Sequence, residues 1–260
     1  MALPHFYLEN QVLAQETDAV FALRLADDDA KHARALRLAP SEHIAVIDAA
    51  KDYFECEIVS FDRDGCLVRI AQKIEDERFR PTVVLVQGIA KGEKMDGIIR
   101  HGTEIGIAGF VPLACERSIV KLDEKKAVAR TERWRSIAKS AAMQSGQPDV
   151  PDVCEPMGLS AVCEFARNAH AVLVCWEEAS SGSIRAAIRG ALGAQRVLPE
   201  DARVIVVVGP EGGFSRREVS ALCDANPFAS TVSLGPSILR TETAGLLAPA
   251  LAIYELGGLS

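Results

Sequence analysis

The sequence predicts a two-part α/β protein. A small β-rich domain over residues 1–73 is joined by a polar linker, 74–80, to a larger α/β domain over 81–260. Three observations carry this. Between His43 and Ala71, short β-branched runs alternate with turn signals, as in a small antiparallel sheet. After Pro81, near-continuous apolar runs alternate with helical patterns, which indicates a mainly parallel sheet covered on both faces. Between the two lies KIEDERFRP, Lys73–Pro81, charged and without periodicity.

In chain order, a helical piece around Asp28–Leu38 precedes the runs HIAVID, YFECEIV and CLVRIA, which are separated by AAKD and DRDG. In the second part TVVLVQG reads as a buried strand. It is followed by a helix over Lys94–Ile105 with Met95, Ile98, Ile99 and Ile105 on one side. GFVPL, a helix over Thr131–Ser145, AVLVCW and a helix over Ser183–Leu192 come next. RVIVVVG, a helix over Arg216–Ala225, the short run TVSL and a helix over Thr241–Leu256 complete the chain.

With 260 residues, 48% of them apolar, the chain is long enough to bury a substantial core. No window reaches about 18 consecutive apolar residues, so no membrane span is expected. The start, MALPHFYLENQ, has neither a basic nor an apolar targeting segment. The seven cysteines include no CxxC pair, and the five histidines form no HExxH. The expectation is a cytoplasmic protein with no disulfide framework and no metal. The net charge of −7 is unevenly spread: residues 1–77 carry 8 Lys/Arg against 16 Asp/Glu, whereas 78–140 carry 13 against 7. A basic stretch inside an acidic chain makes a local surface for phosphates, or else a solvated mixed-charge helix face.

The strongest motif is Gly209-Pro-Glu-Gly-Gly-Phe-Ser215, between a buried strand and a helix. Ligands of open α/β sheets bind at strand carboxyl ends, and glycines there let backbone amides come close. Ser215 and Glu218 have the spacing of a capping box. The segment matches neither a P-loop nor a dinucleotide loop, and a plain strand-to-helix turn also accounts for it. Leu234-Gly-Pro-Ser-Ile-Leu-Arg-Thr-Glu-Thr-Ala244 repeats the strand-turn-helix pattern. Thr241 or Thr243 as a helix cap explains its threonines but leaves Arg240, well placed to hold an anion, without a role. Lys91-Gly-x-Lys94-Met-Asp, Thr103-Glu-Ile-Gly106, Glu116-Arg-Ser118 and Ala142-Met-Gln-Ser-Gly-Gln147 supply further polar residues at element ends. Glu104 and Glu116 alone read as surface ion-pair partners, and Gly146 as a helix C-cap.

Taken in order, VQGIAKGEKMD, GTEIG, CERSIV, MQSGQ, GPEGGFS and LGPSILRTETA resemble the successive motifs of the RsmE family of SPOUT methyltransferases, along nearly the whole chain. The helix Lys31-His-Ala-Arg-Ala-Leu-Arg-Leu38 is similar to that family's PUA-like RNA-binding domain. The resemblance implies an N-terminal PUA-like β-barrel and a C-terminal α/β domain with a deep trefoil knot, a rare exception to unthreaded chains. It implies a homodimer with its active site at or near the subunit interface, and 16S ribosomal RNA of the small subunit as partner. It implies S-adenosylmethionine as cofactor, methylating N3 of one uridine. Of the cofactor contacts it implies, Gly209, Pro210, Glu211, Gly212 and Gly213 belong to the first loop. Leu234, Gly235, Ile238, Leu239 and Thr241 belong to the second, with Leu173, Trp176 and Glu177 beside them. For RNA it implies Lys31, His32, Arg34 and Arg37 in the N-terminal helix, and Lys91, Lys94 and Arg117 in the larger domain. Three positions depart from the family pattern by losing an arginine: His5, Gln147 and Ser237.

Methylating N3 requires the N–H proton to leave, and negative charge spreads onto the uracil carbonyls. Arg240 is the candidate to stabilise that charge, and Glu116, Glu242 or a water molecule the candidate proton acceptor. Two other classes compete with this reading: a non-catalytic RNA-binding or assembly protein on the same folds, and an enzyme acting on a small nucleotide. Intact glycine loops favour a cofactor-using protein over the first. Transfer to RNA but not to free uridine would exclude the second.

Overall fold

A computed structural model describes residues 3–61, 65–75, 79–120, 122–179 and 182–259. The chain divides into two compact units, one formed by residues 1–78 with 142–149 and the other by 79–141 with 150–260. Of the linker expected at 74–80, residues 76–78 lie outside the described residues, as do residues 62–64 of the turn expected at DRDG.

The first unit contains β1 (His5–Tyr7), β2 (Phe21–Leu23), α1 (Asp27–Ala35), β3 (His43–Ile47), β4 (Tyr53–Phe61) and β5 (Cys66–Lys73). Its five strands form one sheet in the order β1-β3-β4-β5-β2. In β4 the alternation is plain: Phe54, Cys56 and Ile58 are buried, and the residues between them face outward. β3, β4, β5 and β2 pair antiparallel, as the sequence suggests, but β1 runs parallel to β3. β1 and β2 escape sequence reading because three residues are too few to display a period of two. The segment 142–149 also belongs here. Gly146, with φ +67, ends its helix as expected, with the Gln147 amide donating back to the Ala142 carbonyl at 3.1 Å. The Tyr7 hydroxyl donates to the Gln147 carbonyl, and the His5 ring lies 2.8 Å from the Tyr53 hydroxyl.

The second unit runs through β6 (Thr82–Gly88), α2 (Lys94–Glu104), β7 (Gly109–Ala114) and α3 (Glu124–Ser145), whose last turn belongs to the first unit. It continues with β8 (Asp152–Val153), β9 (Met157–Gly158), α4 (Leu159–Ala166), β10 (Ala171–Cys175) and α5 (Ile184–Gln195). β11 (Arg203–Val208), α6 (Arg216–Asp224), β12 (Ala229–Val232) and α7 (Thr241–Glu255) complete it. The strands form a parallel sheet in the order β12-β10-β11-β6-β7-β8, with β9 also pairing β7. Both faces are covered, which is why its central strands are largely apolar. Val83, Leu85, Val204 and Val206 pack with Ile98, Trp134, Ile188 and Ala248 on one side. Val84, Val86, Ile205 and Val207 pack with Val162, Val219 and Leu222 on the other. α7 faces the sheet with Ala244, Gly245, Ala248 and Ala252, small residues that let its backbone come close. The unit is therefore a mixed arrangement of strands and helices around a doubly covered parallel sheet.

Candidate active site and cofactor pocket

At the carboxyl ends of β10, β11 and β12 the second unit opens into a cavity of about 490 Å³, within the roughly 300–1,000 Å³ typical of small-molecule sites. Two loops form most of its wall: 209–214 after β11, and 233–240 between β12 and α7. Trp176 and Glu177 after β10, and Lys94 at the start of α2, close it.

The first loop has the shape its glycines permit. A Cβ on Gly88 would lie 2.5 Å from the Pro210 backbone nitrogen, so only a residue lacking that atom lets the loop rest against β6. Gly213 sits at φ +64, a left-handed conformation, and a Cβ there would come 2.9 Å from Glu177 Oε1. Its amide donates to the Pro210 carbonyl at 2.9 Å, closing a turn. The loop then enters α6 through the capping box expected from Ser215 and Glu218. The buried Glu218 carboxylate also accepts the Glu116 amide at 2.8 Å, so one side chain anchors two segments.

The second loop ends differently from expectation. The N-cap of α7 is Arg240, which makes no side-chain cap. Thr241 instead turns inward: its hydroxyl donates to the Gly209 carbonyl at 2.6 Å and accepts from Gln87 Nε2 at 2.9 Å. Gln87 is fully buried at the end of β6, and its amide also reaches the Gly88 and Gly209 carbonyls. It ties the start of one pocket loop to the end of the other. Sequence reading passed over it; the available signal was one amide at the carboxyl end of an otherwise apolar strand.

Charge in the pocket centres on Lys94. Its ammonium lies 3.1 Å from Glu211 and 3.0 Å from Glu242. Those contacts, Glu242 first, hold the Lys94 pKa above its usual value. Glu242 is held below the usual carboxylate range by its own backbone amide and then by Lys94. For Glu211 burial pushes upward, but its own amide, Lys94 and the Lys91 amide outweigh it and leave the carboxyl lowered. Arg240 lines the same cavity and is exposed, and its guanidinium makes no hydrogen bond or ion pair among the described residues.

The structure thus brings Arg240 together in one cavity with twelve of the residues expected to hold a cofactor, while Glu242 stands beside the lining, paired with Lys94. Leu173 is the exception. It lies within β10, fully buried in the core, because the strand turns that side chain toward the helical layer rather than the cavity. Glu116 stands outside the lining, its carboxylate engaged by Arg217 and lowered by Ser215 and then Arg217. Lys94, expected on the RNA side, is instead in the pocket wall. Arg117 donates to the Gly212 carbonyl at 3.2 Å and so braces the glycine loop, while the Lys91 amide reaches Glu211 at 3.2 Å. Lys31, His32, Arg34 and Arg37 are exposed on or just after α1. Phe214, Ser233, Pro236 and Ser237 line the cavity without having been singled out as cofactor contacts.

Comparison with known proteins places these features in company. A family model described as an RNA methyltransferase domain matches residues 77–253. The ribosomal RNA small subunit methyltransferase E of Bacillus subtilis (strain 168) is 37% identical over 214 residues, covering 81% of each chain. The protein of the same name from Aquifex aeolicus is 32% identical over 228 residues, covering 85% of this chain and 90% of its own. Among solved structures, a ribosomal RNA small subunit methyltransferase E from Neisseria gonorrhoeae bound to S-adenosyl methionine aligns with a TM-score of 0.78. It is 26% identical and covers 96% of both chains. A putative methyltransferase from Legionella pneumophila in complex with the same cofactor also aligns at 0.78, with 26% identity over 97% of both.

Proposed function

This chain belongs to the ribosomal RNA small subunit methyltransferase E family, and from that premise we propose that it methylates N3 of one uridine in 16S ribosomal RNA. The protein is an S-adenosylmethionine-dependent methyltransferase acting on ribosomal RNA of the small subunit. The observation that carries the finer reading is the meeting of a glycine-built cofactor cradle with an exposed arginine in one cavity.

The cavity suits this cofactor on its own terms. The Gly213 turn leaves room a Cβ would fill, and Glu177 and Glu211 give the lining carboxylates suited to a sulfonium cation. S-adenosylmethionine, when bound, supplies a methyl group activated by its sulfonium. The chain's residues have the remaining tasks. The twelve lining residues expected as cofactor contacts, from the two loops, Thr241 and Trp176–Glu177, hold and orient the ligand. Uridine N3 lies on the pairing edge, so the base must be unpaired to enter. As N3 loses its proton and attacks, charge develops on the uracil carbonyls, and the Arg240 guanidinium is assigned to meet it. Neither carboxylate considered as acceptor lines the cavity; Glu242, beside the lining residue Thr241 and paired with Lys94 of the wall, is assigned over Glu116, whose carboxylate is engaged by Arg217. The RNA contacts of this proposal are Lys31, His32, Arg34 and Arg37 on the first unit, with Lys91 and Arg117 on the second. Their cations would bind phosphates without reading sequence.

The same reading includes a PUA-like barrel form for the first unit and a deep trefoil knot in the second. Support for the knot is α7, which follows the 233–240 segment and packs on β6, β11, α2 and α5. It includes a homodimer, supported by apolar side chains exposed on α7. A cytoplasmic location is consistent with the finding that, among the described residues, no helix is long and apolar enough to cross a membrane.

A methyl on N3 blocks pairing, so it stops reverse transcription. Small-subunit RNA from cells lacking this protein, incubated with it and S-adenosylmethionine, is expected to acquire one new stop at a uridine. Methyl incorporation with no such stop, or a stop at another base, would overturn the N3 assignment.

A further inference from the structure

Arg240 stands in an environment where a cation ought to be captured. Glu242 is two residues away and feels its charge, and Glu211 lies in the same wall. Yet the Arg240 guanidinium makes no hydrogen bond or ion pair among the described residues, and both carboxylates are taken by one ammonium, that of Lys94 at 3.1 and 3.0 Å. Lys94 rises from the first turn of α2, on a different element from either loop. Its neighbours Met95, Ile98 and Ile99 are buried in the core, which fixes the base of the side chain. Its own side chain is only 28% exposed, so it is not a freely moving surface lysine. A second amide, that of Lys91, holds Glu211 from the same segment.

We infer that Lys94 is a positioning residue that keeps Arg240 available: by occupying Glu211 and Glu242, it prevents those carboxylates from pairing with the arginine that must meet the substrate's developing negative charge. Chemically this is a competition between two cations for two anions. The compact ammonium reaches both carboxylates from a fixed helix, and the guanidinium is left for an incoming anion that arrives only with RNA. A guanidinium already bidentate on a carboxylate would have to break that pair before serving a uracil oxygen. The inference rests on the assignment of Arg240 above.

Because capture is reversible and the carboxylates are partly solvated, loss of Lys94 must cost less than loss of Arg240. Lys94→Met is expected to slow single-turnover methylation by about threefold to tenfold. The direct readout needs no activity: the rate at which phenylglyoxal modifies Arg240, followed by mass spectrometry, should fall in Lys94→Met as the guanidinium becomes paired. Lys94→Gln, which keeps a polar head, should behave alike and serves if the methionine variant melts early. In an Arg240→Ala background, Lys94→Met should add no further loss of rate, because its effect runs through the arginine. Unchanged modification of Arg240 in both Lys94 variants overturns the inference. So does an equal rate loss in the Arg240→Ala background, which would mean that Lys94 acts on the ligand directly. If Arg240→Ala methylates at the wild-type rate while Lys94→Met still shields the arginine, the assignment of Arg240 fails and the competition between the cations stands.

Discussion

An arginine at a helix N-terminus meets the positive end of the backbone dipole and gains nothing from its own helix there. Arg240 occupies that position on α7, caps nothing, and is left in the cavity wall. Cation and helix end therefore point to one use, the holding of an anion. A purely structural arginine would be expected to carry a carboxylate partner, and the nearby carboxylates are held by Lys94. Arg240→Ala should therefore lower single-turnover methylation by about a hundredfold, as loss of an oxyanion donor does, with little change in melting temperature or cofactor affinity. Arg240→Lys separates charge from the planar fork and should recover only part of the rate. A rate within a few-fold of wild type, or a loss explained by unfolding, would return Arg240 to a structural role. At this scale the sequence is legible where a residue sits inside a motif. Arg240 stands out in LGPSILRTETA because helix capping by the threonines leaves it without a role. The family resemblance implies Lys94 as an RNA contact, whereas its place in the pocket wall comes only from the fold. Only the folded chain shows two carboxylates, 117 and 148 residues away in sequence, converging on it. Gln87 was invisible for a related reason: its partners Gly209 and Thr241 come from distant segments.

The pocket loops depend on the elements that support them. β6 contributes no lining side chain, yet its last residue decides whether the glycine loop can lie where it does. A Cβ at Gly88 would meet the Pro210 ring and its backbone nitrogen, both at 2.5 Å, and a backbone atom cannot move aside as a side-chain tip can. Gly88 is not in the left-handed region, so Gly88→Ala adds a steric conflict without backbone strain. The expected result is a folded protein whose affinity for S-adenosylmethionine falls about tenfold or more, since overpacking of this kind typically costs about 1–3 kcal/mol. Calorimetry showing unchanged affinity in a folded variant would mean that the loop relaxes freely and that its contact with β6 does not shape the pocket. The elements legible in sequence were those with long periodic patterns, such as β6, β11, α2 and α6. β8 and β9, two residues each, have no period to read, and α4 is an eight-residue helix without a side-chain cap. α3 begins at Glu124, seven residues before the expected Thr131, because EKKAVAR is charged and shows no apolar face.

At the scale of the whole molecule, the sequence indicated a β-rich part and a parallel-sheet part, because burial on one face or two leaves different apolar patterns. It left the strand order open, since pairing β6 with β11 and β10 with β12 joins segments whose patterns are interchangeable. It also left open which face of α7 turns inward. Of the large apolar residues Leu246, Leu247, Leu251 and Ile253, Ile253 is buried in the chain's own core with Ala248 and Ala252. Leu247, Leu251 and Tyr254 remain, 38%, 39% and 57% exposed, at spacings of four and three that align them along one side of the helix. Three large apolar side chains in such a row leave a stripe that water solvates poorly, and a second copy meeting it across a two-fold axis would bury both stripes at once. The protein is therefore expected to have twice the monomer mass by light scattering at micromolar concentration. Leu251→Glu, which places a charge at the centre of the stripe while leaving Ala248 and Ala252 packed on the sheet, should shift it to monomer with little change in melting temperature at low concentration. A monomeric wild-type protein would remove the dimer from the proposal. A Leu251→Glu variant that remains dimeric would place the subunit contact on another face.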